Sequence, residues 1–180
     1  RHANFSIINE FYNIAFENNI NFSEIKKIAT KKYPRLNKLP MTGYVGGPCL
    51  PKDLETFIKS YDVKNSLLNK LAYVNEKYVD NLVKLCSEVF EDKKIIQLGL
   101  TFKSGSDDLR GSGAIILNKK LQQKGFEVLA VDPHVNKSEI GFNIFDYQKI
   151  KHRTNNILIA VNHGEFKKYD LKNKIIVYGE

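Results

Sequence analysis

The sequence predicts an α/β protein: an N-terminal helical part joined by a long helix to a small Rossmann-like domain with a parallel sheet. Up to about residue 92, apolar residues recur at steps of three and four, which is the spacing of amphipathic helices. Beyond that point, short apolar runs of strand length alternate with helical patterns, which is typical of parallel sheets built from βαβ units. We therefore predict a helical domain at 1–92 and a Rossmann-like domain at 93–180.

The first 60 residues are interpreted as three helices. Five apolar residues at helical spacing predict the first helix over residues 4–18: Phe5, Ile8, Phe11, Ile14 and Ala15. Asn21 and Glu24 form a capping-box variant that opens a second helix, which ends at Tyr33 because a residue before proline avoids helical backbone angles. A loop at about 37–51 and a short helix at about 52–60 follow.

The longest helical pattern covers residues 66–90, with seven apolar residues at steps of three and four: Leu67, Leu71, Val74, Tyr78, Leu82, Leu85 and Val89. At 1.5 Å per residue, the pattern spans roughly 35 Å. Helices of this length commonly connect domains or form a dimer interface, and the same pattern also fits a core helix of one domain.

The second domain contains four runs that predict buried strands, at 94–100, 128–131, 157–161 and 175–177. Residues 112–124 predict a helix between the first two strands, and Gly125 predicts its end. Ligands of such sheets bind beyond the carboxyl ends of the strands, so the loop that follows residue 100 is a candidate binding site.

Composition narrows the class of protein. The 180 residues are 42% apolar, which is enough for a core, and the two cysteines do not suggest a disulfide framework, so we expect a reducing, cytoplasmic setting. No apolar run approaches the ~20 residues of a membrane span.

The charge of +8 suits anionic ligands, but the basic residues are scattered, which argues against nucleic-acid binding. The chain begins at Arg1 without a methionine, so we expect it to be part of something longer.

The glycine-rich segment 43–53 places Cys49 directly before a predicted helix. The N–H groups of a helix N-terminus, together with the nearby Lys52, favour a thiolate and a lowered cysteine pKa. Asp53 is a candidate base beside this nucleophile. The alternative is that Cys49 is a small buried hydrophobic residue.

A second candidate site follows the first predicted strand. Phe102 could stack on a base, and Lys103 and Arg110 could face a phosphate. The alternative for Arg110 is a local ion-pair cluster with Asp107 and Asp108 that only holds the loop. No G-x-G-x-x-G follows any predicted strand, so we do not expect this chain alone to bind a nicotinamide dinucleotide, and we predict no metal site.

The motifs of both segments resemble those of the nucleotide-sugar 6-dehydrogenases: UDP-glucose dehydrogenase and, more closely, UDP-N-acetylhexosamine dehydrogenases of the mannosamine or glucosamine type. The matching segments are Gly46-Gly47-Pro48-Cys49 with Lys52-Asp53, the run from Gly99 to Ser112, Val131-Asp132-Pro133, His163-Gly164-Glu165-Phe166, Tyr33-Pro34-Arg35, Asn9-Glu10 and Val74-Asn75-Glu76. The resemblance covers nearly the whole chain, in order.

The resemblance implies a role for each part of the chain. Residues 1–92 would be a central dimerisation domain, with a homodimer formed through the helix at 66–90, and residues 93–180 a UDP-binding domain. The implied reaction oxidises C6 of a UDP-sugar to the carboxylate in two NAD-dependent steps, through a cysteine thiohemiacetal and thioester. The implied residues are Cys49 as nucleophile, Asp53 as base or water-orienting group, Gly46, Gly47, Lys52, Phe102 and Lys103 at the substrate, Arg35 acting on the neighbouring subunit's substrate, and Arg110 at the cofactor.

Three features depart from the family pattern. The NAD-binding domain and a catalytic lysine of the family would precede Arg1, so we expect this chain alone to be inactive. Tyr44 stands where the loop usually has its middle glycine, and Tyr178-Gly179-Glu180 stands where relatives often have Asp-Gly-Arg. These departures keep a second hypothesis open, in which the chain is a non-catalytic nucleotide-sugar-binding and dimerisation module. The identity of the UDP-sugar also stays open.

Overall fold

The computed structural model describes residues 1–36, 39–61, 63, 66–136, 141, 143–171 and 174–178. The chain divides into two compact units. The first unit consists of Arg1–Val45 and Cys49–Asn81, and the second of Gly46–Pro48 and Leu82–Tyr178. The domain ranges predicted above, 1–92 and 93–180, stay a prediction. Within the described part of the chain, no helix combines the length and apolar character needed to span a bilayer.

The first unit is helical, as its apolar spacing predicts. The capping prediction at Asn21 is confirmed, because its side chain accepts a hydrogen bond of 3.3 Å from the Glu24 N–H. The long pattern at 66–90 begins with a 3₁₀ turn, Leu67–Lys70, and becomes an α-helix only from Leu71. In chain order the helices are α1 (His2–Glu17), α2 (Phe22–Thr30), α3 (Leu50–Tyr61) and α4 (Leu71–Val89), whose last residues belong to the second unit.

The inward face of α1 differs from the one its apolar spacing predicts. Ile8 and Ala15 are buried, but Phe11 is 57% exposed and Ile14 is 48% exposed. Polar side chains take much of the buried face, among them Asn13, which donates to the Val74 carbonyl and accepts from Asn81. Apolar spacing therefore identified the helix but not the side that packs, because buried amides with hydrogen-bond partners occupy that side.

The second unit is built on a four-stranded parallel sheet in the order β2-β1-β3-β4, which confirms the predicted α/β class. Helix α5 connects β1 to β2, and the short helix α6, which the sequence analysis missed, lies between β2 and β3. The elements are β1 (Lys94–Leu98), α5 (Gly113–Gln123), β2 (Glu127–Val131), α6 (Tyr147–Ile150), β3 (Asn156–Ile159) and β4 (Lys174–Val177).

The core of the second unit fixes the loops at the carboxyl ends of the strands. Ser112 caps α5 by accepting from the N–H groups of Ala114 and Ile115, and its hydroxyl donates to the Leu100 carbonyl at 2.6 Å. The segment after β1 is thereby tied to the start of α5. One buried cluster takes its residues from strands β1, β2 and β3, from helix α6 and from the 3₁₀ turn Gly164–Lys168: Ile96, Leu98, Leu129, Val131, Tyr147, Ile150, Ile157 and Phe166.

Candidate functional site

The site residues predicted from the sequence fall into two groups, one in each unit. Arg35, Cys49, Lys52 and Asp53 belong to the first unit. The second unit holds the other five: Gly46, Gly47, Phe102, Lys103 and Arg110.

Two buried asparagines hold the loop that leads to the cysteine. Asn9 of α1 accepts from the Gly43 N–H at 2.9 Å and donates to the Gly43 carbonyl at 2.8 Å. Asn75 of α4 does the same for Val45, accepting from its N–H at 2.7 Å and donating to its carbonyl at 3.0 Å. Each side-chain amide thus satisfies both the backbone N–H and the backbone carbonyl of one loop residue. These hydrogen bonds hold the loop in place although it is not part of a β-sheet.

Cys49 is exposed and immediately precedes Leu50, the first residue of α3. The alternative that it is a buried hydrophobic residue is therefore wrong, whereas that description fits Cys86, which is fully buried. The Cys49 carbonyl accepts from the Asp53 N–H at 2.8 Å, so the backbone of Cys49 takes part in the first hydrogen-bonded turn of α3. Asp53 and the neighbouring Lys52 are exposed on this turn.

The glycine two positions before Cys49 in the sequence packs against the second candidate site. Gly47 has φ +85°, and a Cβ on it would lie 2.8 Å from Cδ2 of Phe102. Its N–H donates to the Gly111 carbonyl at 3.1 Å, and a Cβ on Gly111, which has φ +62°, would lie 2.9 Å from the Gly47 oxygen. The structure therefore brings Gly47 and Phe102 together and adds Gly111, which the sequence analysis missed. A side chain at either glycine would meet both an unfavourable backbone angle and a close neighbour.

Lys103 lies beside the ring of Phe102 in the loop after β1. Its ammonium is 5.3 Å from the ring centroid, a cation–π arrangement, and the lysine is exposed. The Phe102 N–H donates to the Asp108 carbonyl at 3.0 Å, which closes the loop. An aromatic face and a cation are thus adjacent beyond the carboxyl end of a parallel strand.

Arg110 takes part in the local ion pair that the sequence analysis considered as its alternative. Its Nε lies 3.0 Å from one carboxylate oxygen of Asp108 and its Nη2 lies 2.7 Å from the other. This hydrogen-bonded pairing lowers the pKa of Asp108 to about 2. Contact between Arg110 and a cofactor stays a prediction.

Two further predictions concern residues of the first unit. Arg35 is exposed on the 3₁₀ turn Pro34–Leu36, and its action on a neighbouring subunit stays a prediction. Tyr44 lines a cavity of about 300 Å³ with residues of α3 and α4, and burial, with a smaller contribution from Glu76, raises its phenol pKa. The departure noted at Glu180 lies outside the described residues.

The carboxyl ends of the strands also carry a buried carboxylate whose contacts the sequence analysis did not predict. Asp132, directly after β2, accepts from the Leu100 N–H at 2.7 Å through Oδ2 and from the His134 N–H at 2.8 Å through Oδ1. The Val131-Asp132-Pro133 motif could have suggested this role, because an aspartate directly after a buried strand needs backbone donors.

Two family models match the chain. The model of the UDP binding domain of the UDP-glucose/GDP-mannose dehydrogenase family matches residues 96–177. The model of the central domain of the same family matches residues 1–77. The two matches follow each other along the chain without overlap.

Individual relatives agree with these matches. NDP-N-acetyl-D-galactosaminuronic acid dehydrogenase of Ralstonia solanacearum is 29% identical over 98% of this chain, and GDP-mannose 6-dehydrogenase of Pseudomonas putida is 38% identical over 59% of it. The solved structure of UDP-D-ManNAc dehydrogenase from Pyrococcus horikoshii is similar over 100% of the chain, with a TM-score of 0.81 and 28% identity. The chain spans 44%, 25% and 45% of these three proteins, respectively, so it corresponds to less than half of each.

Proposed function

The chain belongs to the UDP-glucose/GDP-mannose dehydrogenase family, and from this premise we propose that it carries the nucleotide-binding loop and the reactive thiol of a UDP-sugar 6-dehydrogenase. The family resemblance implies oxidation of the sugar's C6 alcohol to a carboxylate. The single observation that carries the proposal is the packing of Gly47 against Phe102, because it brings Gly46–Pro48, the residues that precede Cys49 in the sequence, against the loop of Phe102 and Lys103 within the second unit.

Phe102 and Lys103 are the proposed nucleotide-binding pair. Phe102 offers an apolar ring for the base or ribose, and Lys103 offers a mobile cation for the diphosphate. The net charge of +8 attracts an anionic ligand such as a nucleoside diphosphate over long range. Because the family model that matches residues 96–177 is that of a UDP binding domain, we propose UDP as the nucleotide.

Cys49 is the proposed nucleophile toward the C6 aldehyde. Its thiolate sulfur forms a bond to the aldehyde carbon, and the carbonyl oxygen takes up a proton to give a thiohemiacetal. After oxidation to the thioester, water attacks the acyl carbon and the thiolate leaves, which yields the carboxylate. Asp53, which is exposed on the first turn of α3, is the group that we propose orients or deprotonates this water.

NAD is the electron acceptor that the family resemblance implies for the two oxidations. The chain contains no G-x-G-x-x-G sequence after a strand, and its glycine-rich segment 43–47 leads to Cys49 and not from a β-strand into a phosphate-binding turn. These residues do not fit a dinucleotide.

Calorimetric titration of the chain with UDP tests the nucleotide part of the proposal. We expect saturable binding that weakens about tenfold or more when Lys103→Gln removes the cation, since a charge-assisted contact contributes about 1.5–3 kcal/mol. Lys119→Gln, an exposed lysine on α5, is the matched control and should bind as the parent does. Absence of UDP binding, or equal loss in both variants, would refute the assignment of this loop.

The homodimer is also part of the proposal. Large apolar side chains are exposed on one face of α1, namely Ile7, Phe11 and Ile14, and Ile28 of α2 is 74% exposed. Exposed apolar residues in this number are typical of a surface that another molecule covers. The sequence analysis placed the dimer on the helix at 66–90, and that placement stays an untested prediction. The apolar stripe of this helix is largely buried within the chain, including Leu71, Val74 and Tyr78, so we propose the exposed face of α1 as the dimer surface instead.

A further inference from the structure

His163 lies at the carboxyl edge of the sheet of the second unit and is fully buried. Its Nδ1 is 3.2 Å from the Gly105 nitrogen, whose N–H points at it. Its Nε2 is 3.2 Å from the Thr101 hydroxyl and 3.2 Å from Oδ2 of Asp132. The histidine therefore contacts the residue before Phe102 and the residue two positions after Lys103.

The surrounding donors determine where the ring carries its proton. The Gly105 N–H can only donate, so Nδ1 must accept with a lone pair. The Thr101 hydroxyl donates its single proton to the Lys103 carbonyl at 2.9 Å, so it can only accept from His163. Oδ2 of Asp132 is an acceptor as well. Every contact is satisfied by one form, the neutral ring with its proton on Nε2.

A metal site is the alternative for this cluster. His134, His163 and Glu165 each offer one potential ligand atom, and these three atoms lie within 4.8 Å of one another. A metal-bound histidine must direct a lone pair at the ion, and it commonly donates its other N–H to a carboxylate. Here the Nδ1 lone pair faces the Gly105 N–H and Nε2 carries the proton, so His163 has no lone pair left for a metal.

We propose that His163 is a positioning residue for nucleotide binding, an inference that rests on the proposed function. As a neutral ring with its proton on Nε2, His163 forms hydrogen bonds to both ends of segment 101–105 and thereby holds Phe102 and Lys103. A further bond within the second unit supports the same attachment, because the Ser104 hydroxyl donates to the Asn162 carbonyl at 2.8 Å. Segment 101–105 thus has three connections to residues 162–163. Without them the exposed Lys103 would sample more positions, and binding would have to restrict them.

The ligand-independent test is NMR of the chain. Long-range ¹⁵N–¹H correlation spectra should show His163 as the Nε2–H tautomer at neutral pH, and the Gly105 amide should exchange slowly with solvent. In His163→Phe, which keeps a ring without nitrogens, the Gly105 amide should exchange at least about tenfold faster. A cationic or Nδ1–H ring, or unchanged exchange of Gly105, would overturn the proposal whether or not UDP binds.

The ligand-dependent test is UDP affinity. We expect His163→Phe to weaken UDP binding about tenfold and His163→Asn, whose carbonyl can accept from Gly105 again, to recover part of it. His152→Asn, an exposed histidine of the same unit, is the control and should bind as the parent does. Unchanged affinity in His163→Phe would refute the positioning role. If the parent chain does not bind UDP, the proposed function fails and the nucleotide part of this proposal fails with it, whereas the NMR result still decides the bonding of His163.

Discussion

The two thiols of this chain lie in opposite environments, and their reactivity should differ accordingly. Cys49 is exposed, whereas burial raises the pKa of Cys86 to about 12, so at pH 8 only ~10⁻⁴ of Cys86 is thiolate. We expect iodoacetamide at pH 8 to alkylate Cys49 alone, as measured by peptide mass spectrometry. Cys49→Ser should then remain unlabelled. Labelling of Cys86 at a comparable rate in the folded chain would contradict the structure.

Asp108 and Arg110 offer a pH-dependent test of the loop after β1. The pairing lowers the pKa of Asp108 to about 2 from the ordinary 3.8, so it stabilises the folded chain above pH 3.8, and the effect is lost as the pH falls through 2. We expect Arg110→Gln to move the midpoint of the Asp108 carboxyl titration, followed by ¹³C NMR, back toward 3.8. A midpoint that stays near 2 would show that the guanidinium does not cause the shift.

At the residue scale, the sequence predicted candidate side chains for the chemistry but not what these side chains contact. The spacing of Cys49, Lys52 and Asp53 was visible in the chain, and so was the adjacency of Phe102 and Lys103. The pairing of Arg110 with Asp108 stayed one of two alternatives, because both a phosphate and a carboxylate satisfy a guanidinium. The side chain of His163 contacts residues that are 31 to 62 positions away in the sequence, so no local pattern could predict these contacts.

The loop that precedes Cys49 depends on an amide of helix α4. Asn75→Ala removes both hydrogen bonds to Val45 and leaves two buried backbone groups without this partner, so we expect a loss of about 2–4 kcal/mol in the free energy of unfolding. Urea denaturation measures it. Asn4→Ala, on the exposed side of α1, is the matched control and should change stability by less than ~0.5 kcal/mol. Equal values for both variants would contradict the role of Asn75.

In the loop between β1 and α5, Gly111 offers a second test by substitution, and Gly105 of the same loop is its matched control. Their φ angles are +62° and +67°, so alanine should cost about 1–2 kcal/mol at either position. Only at Gly111 would the new Cβ meet backbone, 2.9 Å from the Gly47 oxygen, whereas nothing lies within 4 Å at Gly105. We expect Gly111→Ala to destabilise the chain more in thermal unfolding. A larger loss for Gly105→Ala would argue against the packing of Gly47 on Gly111.

Apolar spacing predicted where the helices and strands occur better than which side of each helix packs inward. The helices and the strands of the parallel sheet occur where the apolar patterns placed them, within a few residues. The four-residue helix α6 is too short to produce a pattern, and its start at Tyr147 depends on the Asp146 side chain, which accepts from the Gln148 N–H. In α1, the amides of Asn9 and Asn13 pack inward because they have partners in the loop and in α4, which no single-segment pattern reveals.

At the scale of the whole molecule, self-association tests which helix forms a dimer. Sedimentation velocity should show a dimer that Phe11→Glu weakens, because Phe11 is 57% exposed in the apolar face of α1. Tyr73→Glu places the same charge on the exposed side of α4, where Tyr73 is 63% exposed, and should leave the dimer intact. Dissociation by Tyr73→Glu alone would instead favour the long helix predicted from the sequence.

The central claim is that Cys49 attacks the C6 aldehyde of a UDP-sugar, and the covalent adduct tests it most directly. The chain is mixed with a UDP-hexose 6-aldehyde labelled with ¹³C at C6, and ¹³C NMR follows the labelled carbon. We predict a protein-bound thiohemiacetal signal that disappears in Cys49→Ser, persists in Cys86→Ser and is suppressed by excess UDP. The claim is contradicted if UDP-hexose aldehyde binds the chain without forming the adduct, or if the adduct persists in Cys49→Ser.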